Sequence, residues 1–430
     1  MAYDSQRLER RQFMKGAGAA ATAVGLAGCT SSLGGSSSGA TQMKFVAPGY
    51  SGVFSDDIVP KFNEAVSSVD ASVQTTTAES SSTREYFVNQ FISQSSDFDA
   101  GMMDVIWPPE FAQKDWVKPI NDPENHADSM LSTPVDAATV DGELVGMPLF
   151  TDANAFYYRS DKLEEYGYDE PPSTYSEVIE IAQDIKQRDD EIENGYIWQG
   201  GANEGLTIMW LNWLWGMGGG VKKNDELVVN TDLGVKALTH ARDLIQKHEV
   251  TPDSIPASST DENRQTFQQG NTLFMRNWPY AVGLMNSDDS PVKDKFDVTT
   301  MPKMAGNSDA NNSCLGGWNI FINQYTEKPE AAQRFASWMA SKPAQNRLAA
   351  NNYLPVREDV YTEENFEKSP LLELFSDITK QTNARPLTSK YTTFSSNLFK
   401  EANKALIGDK TPQQALDDAQ SQIDSEVNNA

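Results

Sequence analysis

The sequence predicts an α/β fold large enough for two cores. Short apolar runs alternate with amphipathic ones, which is the pattern of strands and helices following one another along the chain. The 430 residues are 39% hydrophobic and 10% aromatic, enough to bury about two domain-sized cores. The sequence shows no internal repeat and no low-complexity boundary after Ala40, so two lobes are inferred from size.

The strand candidates are Met43 to Ala47, Met102 to Trp107, Ala155 to Tyr158 and Ile320 to Ile322, each a short apolar or aromatic run. The clearest helix starts at Thr174-Tyr175-Ser176-Glu177, a capping box ahead of Val178, Ile181, Ala182 and Ile185 at helical spacing. Pro329 opens a second helix carrying Ala332, Phe335, Ala336 and Met339, and Thr411-Pro412-Gln413-Gln414 a third carrying Leu416, Ala419 and Ile423. Trp210, Trp213 and Leu214 share one helical face and are expected in the core, with Gly216 to Gly220 as a helix end and turn. No lysine-serine or lysine-threonine pair follows those glycines as a phosphate loop requires.

Composition excludes several functions. Aspartate plus glutamate number 61 against 35 lysine plus arginine, a formal charge of −26, and such a surface cannot displace counterions from a nucleic-acid backbone. Three histidines and two cysteines furnish neither a nitrogen/sulfur zinc site nor a disulfide framework, so no metal and no cofactor is expected.

The N-terminus has its own logic. Arg10-Arg11 precedes the uncharged, weakly apolar run Gly16 to Gly28, which ends in Leu26-Ala27-Gly28-Cys29. The run is too short to span a bilayer and resembles a twin-arginine export signal with a lipoprotein cleavage box, making residues 1–28 a signal peptide and Cys29 the lipid-bearing residue. Thr30 to Ala40 holds five serines and three glycines, so residues 29–41 are read as a flexible tether. Loss of residues 1–28 leaves a charge of −28. That acidity resembles adaptation to concentrated salt, where the Debye length shrinks to about 3 Å. Cys314 is expected to be a buried free thiol. Asn311-Asn312-Ser313 matches the N-glycosylation pattern, to which no role is assigned.

Four places join tryptophan to polar residues and glycine or proline: Asp104-Val105-Ile106-Trp107-Pro108-Pro109-Glu110, Trp198-Gln199-Gly200-Gly201, Arg276-Asn277-Trp278-Pro279-Tyr280 and Gly316-Gly317-Trp318-Asn319. Such punctuation puts rings at strand ends and in loops, where ligands are met. A sugar has an apolar C–H face and a rim of hydroxyls, so flat aromatic surfaces bordered by carboxylate, amide and guanidinium groups suit it.

Six stretches occur in the order found in the family 1 extracellular solute-binding proteins. They are residues 103–112 (MDVIWPPEFA), 144–168, 196–215, 267–281 (FQQGNTLFMRNWPYA), 315–322 (LGGWNIFI) and 384–391 (ARPLTSKY). The chain resembles that family, and within it the trehalose/maltose-binding branch. The resemblance implies a two-lobed, periplasmic-binding-protein-like fold of type II with the ligand cleft between the lobes and three hinge crossings, near Asp152, Cys314 and Val356. Residues 42–151 with 315–356 would form the N-terminal lobe, and 152–314 with 357–430 the C-terminal lobe. It implies that Asp104 and Asp152 accept sugar hydroxyls, that Trp278, Tyr280 and Trp318 supply stacking rings, and that Arg385 and Gly317 complete the rim. Glu204 and Ser82, the latter in the stretch to Arg84, are implied as further polar contacts. Around Tyr50 and Ser51 there is no acidic residue where sugar-binding relatives often carry one, which leaves the identity of the sugar open.

The implied activity is that of a monomeric, lipid-anchored receptor outside the cell. It captures a sugar such as maltose or trehalose and passes it to an ABC transporter permease with its ATPase, with no chemistry of its own. Two alternatives stand beside it: a glycoside hydrolase with Asp104 and Asp152 as acid and base, and a ferric-iron receptor using Tyr157-Tyr158, whose side chains a strand would send to opposite faces.

Overall fold

The computed structural model describes residues 39–49, 52–224, 226–304, 306–307, 310–380 and 382–429, without the side chains of residues 370 and 371. The twin-arginine signal, Cys29, most of the tether, and Tyr50 and Ser51 lie outside the described residues.

The strands that build the two main sheets are, in chain order, β1 (Thr41–Pro48), β2 (Val69–Thr76), β3 (Ala100–Asp104), β4 (Val117–Lys118), β5 (Met147–Ala153), β6 (Ala155–Tyr158), β7 (Asn194–Ile197), β8 (Thr272–Asn277), β9 (Asp297–Thr299), β10 (Ser313–Asn323), β11 (Leu354–Pro355) and β12 (Thr382–Asn383). The larger sheet runs β11-β5-β10-β3-β1-β2, with β12 and β4 pairing the two ends of β10. β1 is parallel to β2 and β3, whereas β10 is antiparallel to β3 and β5. The smaller sheet runs β9-β6-β8-β7. Helices cover both sheets, so the central strands are apolar throughout: all eleven residues of β10 are buried.

Two sheets on one chain make the two lobes. β5 belongs to the larger sheet and β6, which begins after Asn154, to the smaller; the chain returns between β9 and β10. The last crossing departs from the sequence expectation. Rather than crossing near Val356, the chain stays with the larger sheet through Glu363–Lys368 and Pro370–Thr379, because the second of these helices packs its apolar face on β5, β10 and β11. β12 then pairs with Ser313 and Cys314, and the chain joins the smaller-sheet lobe at Tyr391–Leu406, which packs against Glu204–Gly216. The third crossing therefore lies between β12 and Tyr391, and Arg385 is on it.

The helices read from capping and spacing form where expected. Tyr175–Arg188 and Pro412–Ile423 both carry reciprocal capping boxes, and Pro329–Ala340 starts at its proline. In Glu204–Gly216, Trp210 and Trp213 are fully buried, and Gly218 turns the chain with φ of 80°. The run read as a strand from Met102 to Trp107 stops at Asp104; Trp107 instead precedes the short helix Pro108–Gln113, because two successive prolines cannot continue a ladder. Among the described residues, no helix is long and apolar enough to cross a membrane.

Candidate functional site

One wall of the cavity between the lobes is a row across three strands. Trp318 on β10 lies opposite Asp104 on β3 and opposite Phe150 on β5, so these three side chains share a sheet face. One step along the same face, Gly316 lies opposite Asp152. Beyond Trp318 the register slips by one residue, a bulge that re-aims the strands. The two glycines answer to close packing. A Cβ on Gly316 would stand 2.7 and 2.9 Å from Trp278 ring atoms, and one on Gly317 would stand 2.7 Å from the Phe150 carbonyl oxygen. Gly317 also has φ of +135°, in the region that favours glycine.

The facing wall comes from the smaller-sheet lobe. It consists of Trp278 and Tyr280 just after β8, the start of Glu204–Gly216, and Ser259 to Asp261 at the start of Thr260–Gln268. Tyr157 Oη donates to the Trp278 carbonyl at 2.6 Å, and Asn277 Oδ1 accepts from the Trp278 amide at 2.8 Å, which fixes the backbone under the ring. The Tyr157 hydroxyl is thus spent inside the lobe, while Tyr158 is only half-buried. The pair does not present two phenols to one point.

Arg385 joins the walls. Its Nη1 donates to Glu204 Oε1 at 2.9 Å and its Nη2 to Asp104 Oδ1 at 2.8 Å. Asp104 Oδ2 also accepts from Ser80 Oγ at 3.1 Å. Glu204 accepts in addition from Tyr391 Oη at 2.6 Å and Ser395 Oγ at 2.5 Å. It anchors Arg385 and also lines the cavity. A second tie between the lobes runs from Arg84 through Glu110 to Thr392, whose hydroxyl donates to Glu110 at 3.1 Å.

Several carboxylates coexist here because most sit at helix starts. Glu79 caps Ser80–Ile92, accepting from the Ser82 amide at 3.0 Å, Glu204 opens its helix, and Asp261 lies in the first turn of another. The positive end of each helix dipole favours such charges. Burial nevertheless dominates: it pushes the carboxyls of Glu79 and Glu204 above the usual range, helped by their mutual repulsion with Asp104 and opposed at Glu204 by Arg385. Asp152 goes furthest, held well above the usual range by burial and by Asp104, with Arg276 pulling the other way.

The cavity is lined by Asp104, Asp152, Glu204, Trp278, Tyr280, Gly317, Trp318 and Arg385, all singled out from the sequence. Ser82 is not among them. Its helix begins at Ser80, which brings Glu79 and Ser80 to the cavity and leaves the Ser82 amide to the cap. Sequence reasoning also missed Phe150, Tyr353, Ile208 and the Ser259 to Asp261 turn. Ser259 and Glu262 form a capping box, a signal for the helix start that says nothing about a ligand; Phe150 and Tyr353 read as core. Trp107 and Trp198 are core rings: Trp107 meets Trp318 edge to face at 5.5 Å, and Trp198 Nε1 donates to Thr251 at 3.1 Å.

Known proteins are similar to this chain in sequence and in fold. A protein of Deinococcus radiodurans described as a probable ABC transporter-binding protein is 32% identical over 349 residues, covering 78% of this chain and 82% of its own. The mannitol-binding protein of Pseudomonas aeruginosa is 23% identical over 274 residues, 62% of each chain. The structure of maltose-bound MalE3 from T. maritima superposes with a TM-score of 0.84 at 31% identity, over 90% of this chain and 100% of that one. Residues 51–346 match the family model for bacterial extracellular solute-binding proteins, and with the relative from D. radiodurans this establishes that the chain belongs to that family.

Proposed function

We propose that this protein captures a sugar or polyol outside the cell and delivers it to the permease of an ABC transporter. The observation that carries the reading is the row Asp104, Trp318 and Phe150 facing Trp278 across the cleft. An aromatic surface flanked by carboxylates meets both halves of a sugar: C–H faces on the rings, hydroxyls on Asp104 and Asp152. The maltose carried by MalE3 and the mannitol of the Pseudomonas relative are ligands of this chemistry. Maltose and trehalose are the first candidate ligands of this reading.

The finer reading places the receptor on the outer face of the membrane, exported through the twin-arginine signal and anchored at Cys29. It works as a monomer in concentrated salt. Closure on the ligand gives the permease a surface to read, so ligand selects the closed state. Tryptophan-fluorescence titration in molar potassium chloride with maltose, trehalose, glucose, mannitol and ferric citrate tests the ligand class. A saturable change with a sugar or polyol is expected; silence with all of these and a response to iron would overturn the reading.

A further inference from the structure

Arg276, the penultimate residue of β8, is wholly buried and does not line the cavity. Its guanidinium is held by neutral amides: Nε donates to Asn154 Oδ1 at 2.5 Å, Nη2 to the same oxygen, and Nη1 to Gln199 Oε1 at 2.8 Å. Asn154 is fixed in turn, donating to the Cys314 carbonyl at 2.8 Å and accepting from Asn212 at 3.0 Å. A buried cation without a bonded carboxylate is costly, so the field of its surroundings has to compensate. Trp278 does part of this: the guanidinium centre lies 4.3 Å over its ring, a cation–π contact. Asp152 stands beside the same ring, since a Cβ on Gly316 would lie 2.7 Å from the ring and 3.0 Å from the Asp152 Cβ, and Arg276 favours its charged form. Burial still pulls the guanidinium down to about 10, against Cys314, Tyr196 and Tyr175.

We propose that Arg276 is a positioning residue for the ligand site, holding the Trp278 ring at the cleft and supplying Asp152 with its counter-charge. With one face of the ring covered by the guanidinium, a ligand has only the other to stack on. Gly316 confines the ring from the side, because its missing Cβ is the space that the ring edge fills. Asp152 is faced by Asp104 from β3, Arg276 from β8, Tyr157 from β6 and Tyr361 from beyond β11. Arg276 is the one cation in that set. Removing its charge raises the Asp152 carboxyl further, so the ionised acceptor persists only at higher pH.

The inference rests on the sugar or polyol reading for its binding test and is separable from it. Titrations of Arg276→Lys and Arg276→Met from about pH 5 to about pH 9, with whichever of maltose, trehalose, glucose or mannitol the parent binds, give the first readout. Arg276→Met is expected to lose roughly tenfold in affinity at neutral pH and to move the acid midpoint of binding up by about one unit. Arg276→Lys keeps the midpoint and loses several-fold in affinity, because an ammonium cannot fork to Asn154 and Gln199 while lying flat on the ring. Binding of Arg276→Met within twofold of the parent at an unmoved midpoint, or equal midpoint shifts in both variants, overturns the proposal. The second readout needs no ligand: the carbon-13 resonance of the Asp152 carboxyl, identified by its loss in Asp152→Asn, titrates at higher pH in Arg276→Met, or in Arg276→Gln should the former not fold. An unmoved resonance overturns the proposal even if no sugar binds, whereas a shifted resonance without sugar binding sinks only the ligand reading.

Discussion

Arg385 and Asp104 come from different parts of the chain and meet at 2.8 Å across the cleft, while the other guanidinium nitrogen stays on Glu204. All three side chains are buried. Deleting the cation leaves two carboxylates enclosed without compensation, and breaking a buried pair in this way costs about 3–5 kcal/mol. Arg385→Met is therefore expected to lower the urea midpoint strongly and to part the lobes, seen as a larger radius of gyration by X-ray scattering. Arg385→Lys recovers only part of the loss, since one ammonium cannot serve both carboxylates with the fork geometry of arginine. Equal stability of Arg385→Met and the parent would mean that the bridge does not hold the lobes.

Gly316 offers a local test of the Trp278 platform. In Gly316→Ala the new methyl would stand 2.7 Å from the ring, closer than real Cβ contacts, so the ring or strand has to move. The expected outcome is a fall in ligand affinity of about 1–3 kcal/mol by calorimetry, with a near-ultraviolet spectrum altered in the tryptophan region. Stability falls by a similar amount at most. Unchanged affinity would show that Trp278 can shift without consequence for the ligand.

Asp152 separates stability from binding. Its carboxyl is raised in the folded chain by burial and Asp104, so the folded state holds a proton more tightly than the unfolded state does. The sign follows: the parent loses stability as pH rises from the ordinary aspartate value towards the folded one. Asp152→Asn has no charge to enclose and should be more stable than the parent at neutral pH by about 1–2 kcal/mol, with the difference vanishing in acid. The same variant loses a charged acceptor for ligand hydroxyls and should bind roughly tenfold more weakly. A variant that is less stable and binds as well as the parent contradicts both halves.

Much of this was legible in the sequence, for identifiable reasons. Capping boxes at Thr174 and Thr411 fixed two helix starts because the signal is local, and Trp278, Trp318 and Gly317 stood out because glycine, proline and tryptophan together mark strand ends. The long-range arrangement was less visible. That Phe150 lies beside Trp318 depends on the β5 to β10 register, and the apolar face of Pro370–Thr379 fits either lobe equally well by periodicity. The third crossing was therefore misplaced by some thirty residues, between Val356 and the segment holding Arg385. The partners of Glu204 were not legible either: Arg385, Tyr391 and Ser395 come from nearly two hundred residues away, beyond the reach of any spacing rule.

His240 supplies a pH signature remote from the cleft. It lies on the helix Asp232–Gln246, edge-on to Tyr175 at 5.1 Å and Trp213 at 5.5 Å, and its Nε2 is enclosed without a partner. Burial, with His248 adding repulsion and Asp243 opposing it, pushes the imidazole from 6.5 down to about 4. Between those values the unfolded chain binds a proton that the folded chain refuses, so stability is intact above the upper value and is lost as pH falls towards the lower one. At 1.36 kcal/mol per unit the full effect is about 3 kcal/mol. The carboxylates held below their ordinary values, such as Glu177 and Glu401, lose their contributions at lower pH, whereas the raised carboxyls of Asp152, Glu79 and Glu204 gain stability as pH falls, so the histidine's share is read as the difference between variant and parent. His240→Phe keeps an aromatic ring between Tyr175 and Trp213 and should become more stable relative to the parent as pH falls through that window in urea unfolding. A slope equal to the parent's through this window would show that the imidazole is already charged in the folded protein or reaches solvent freely.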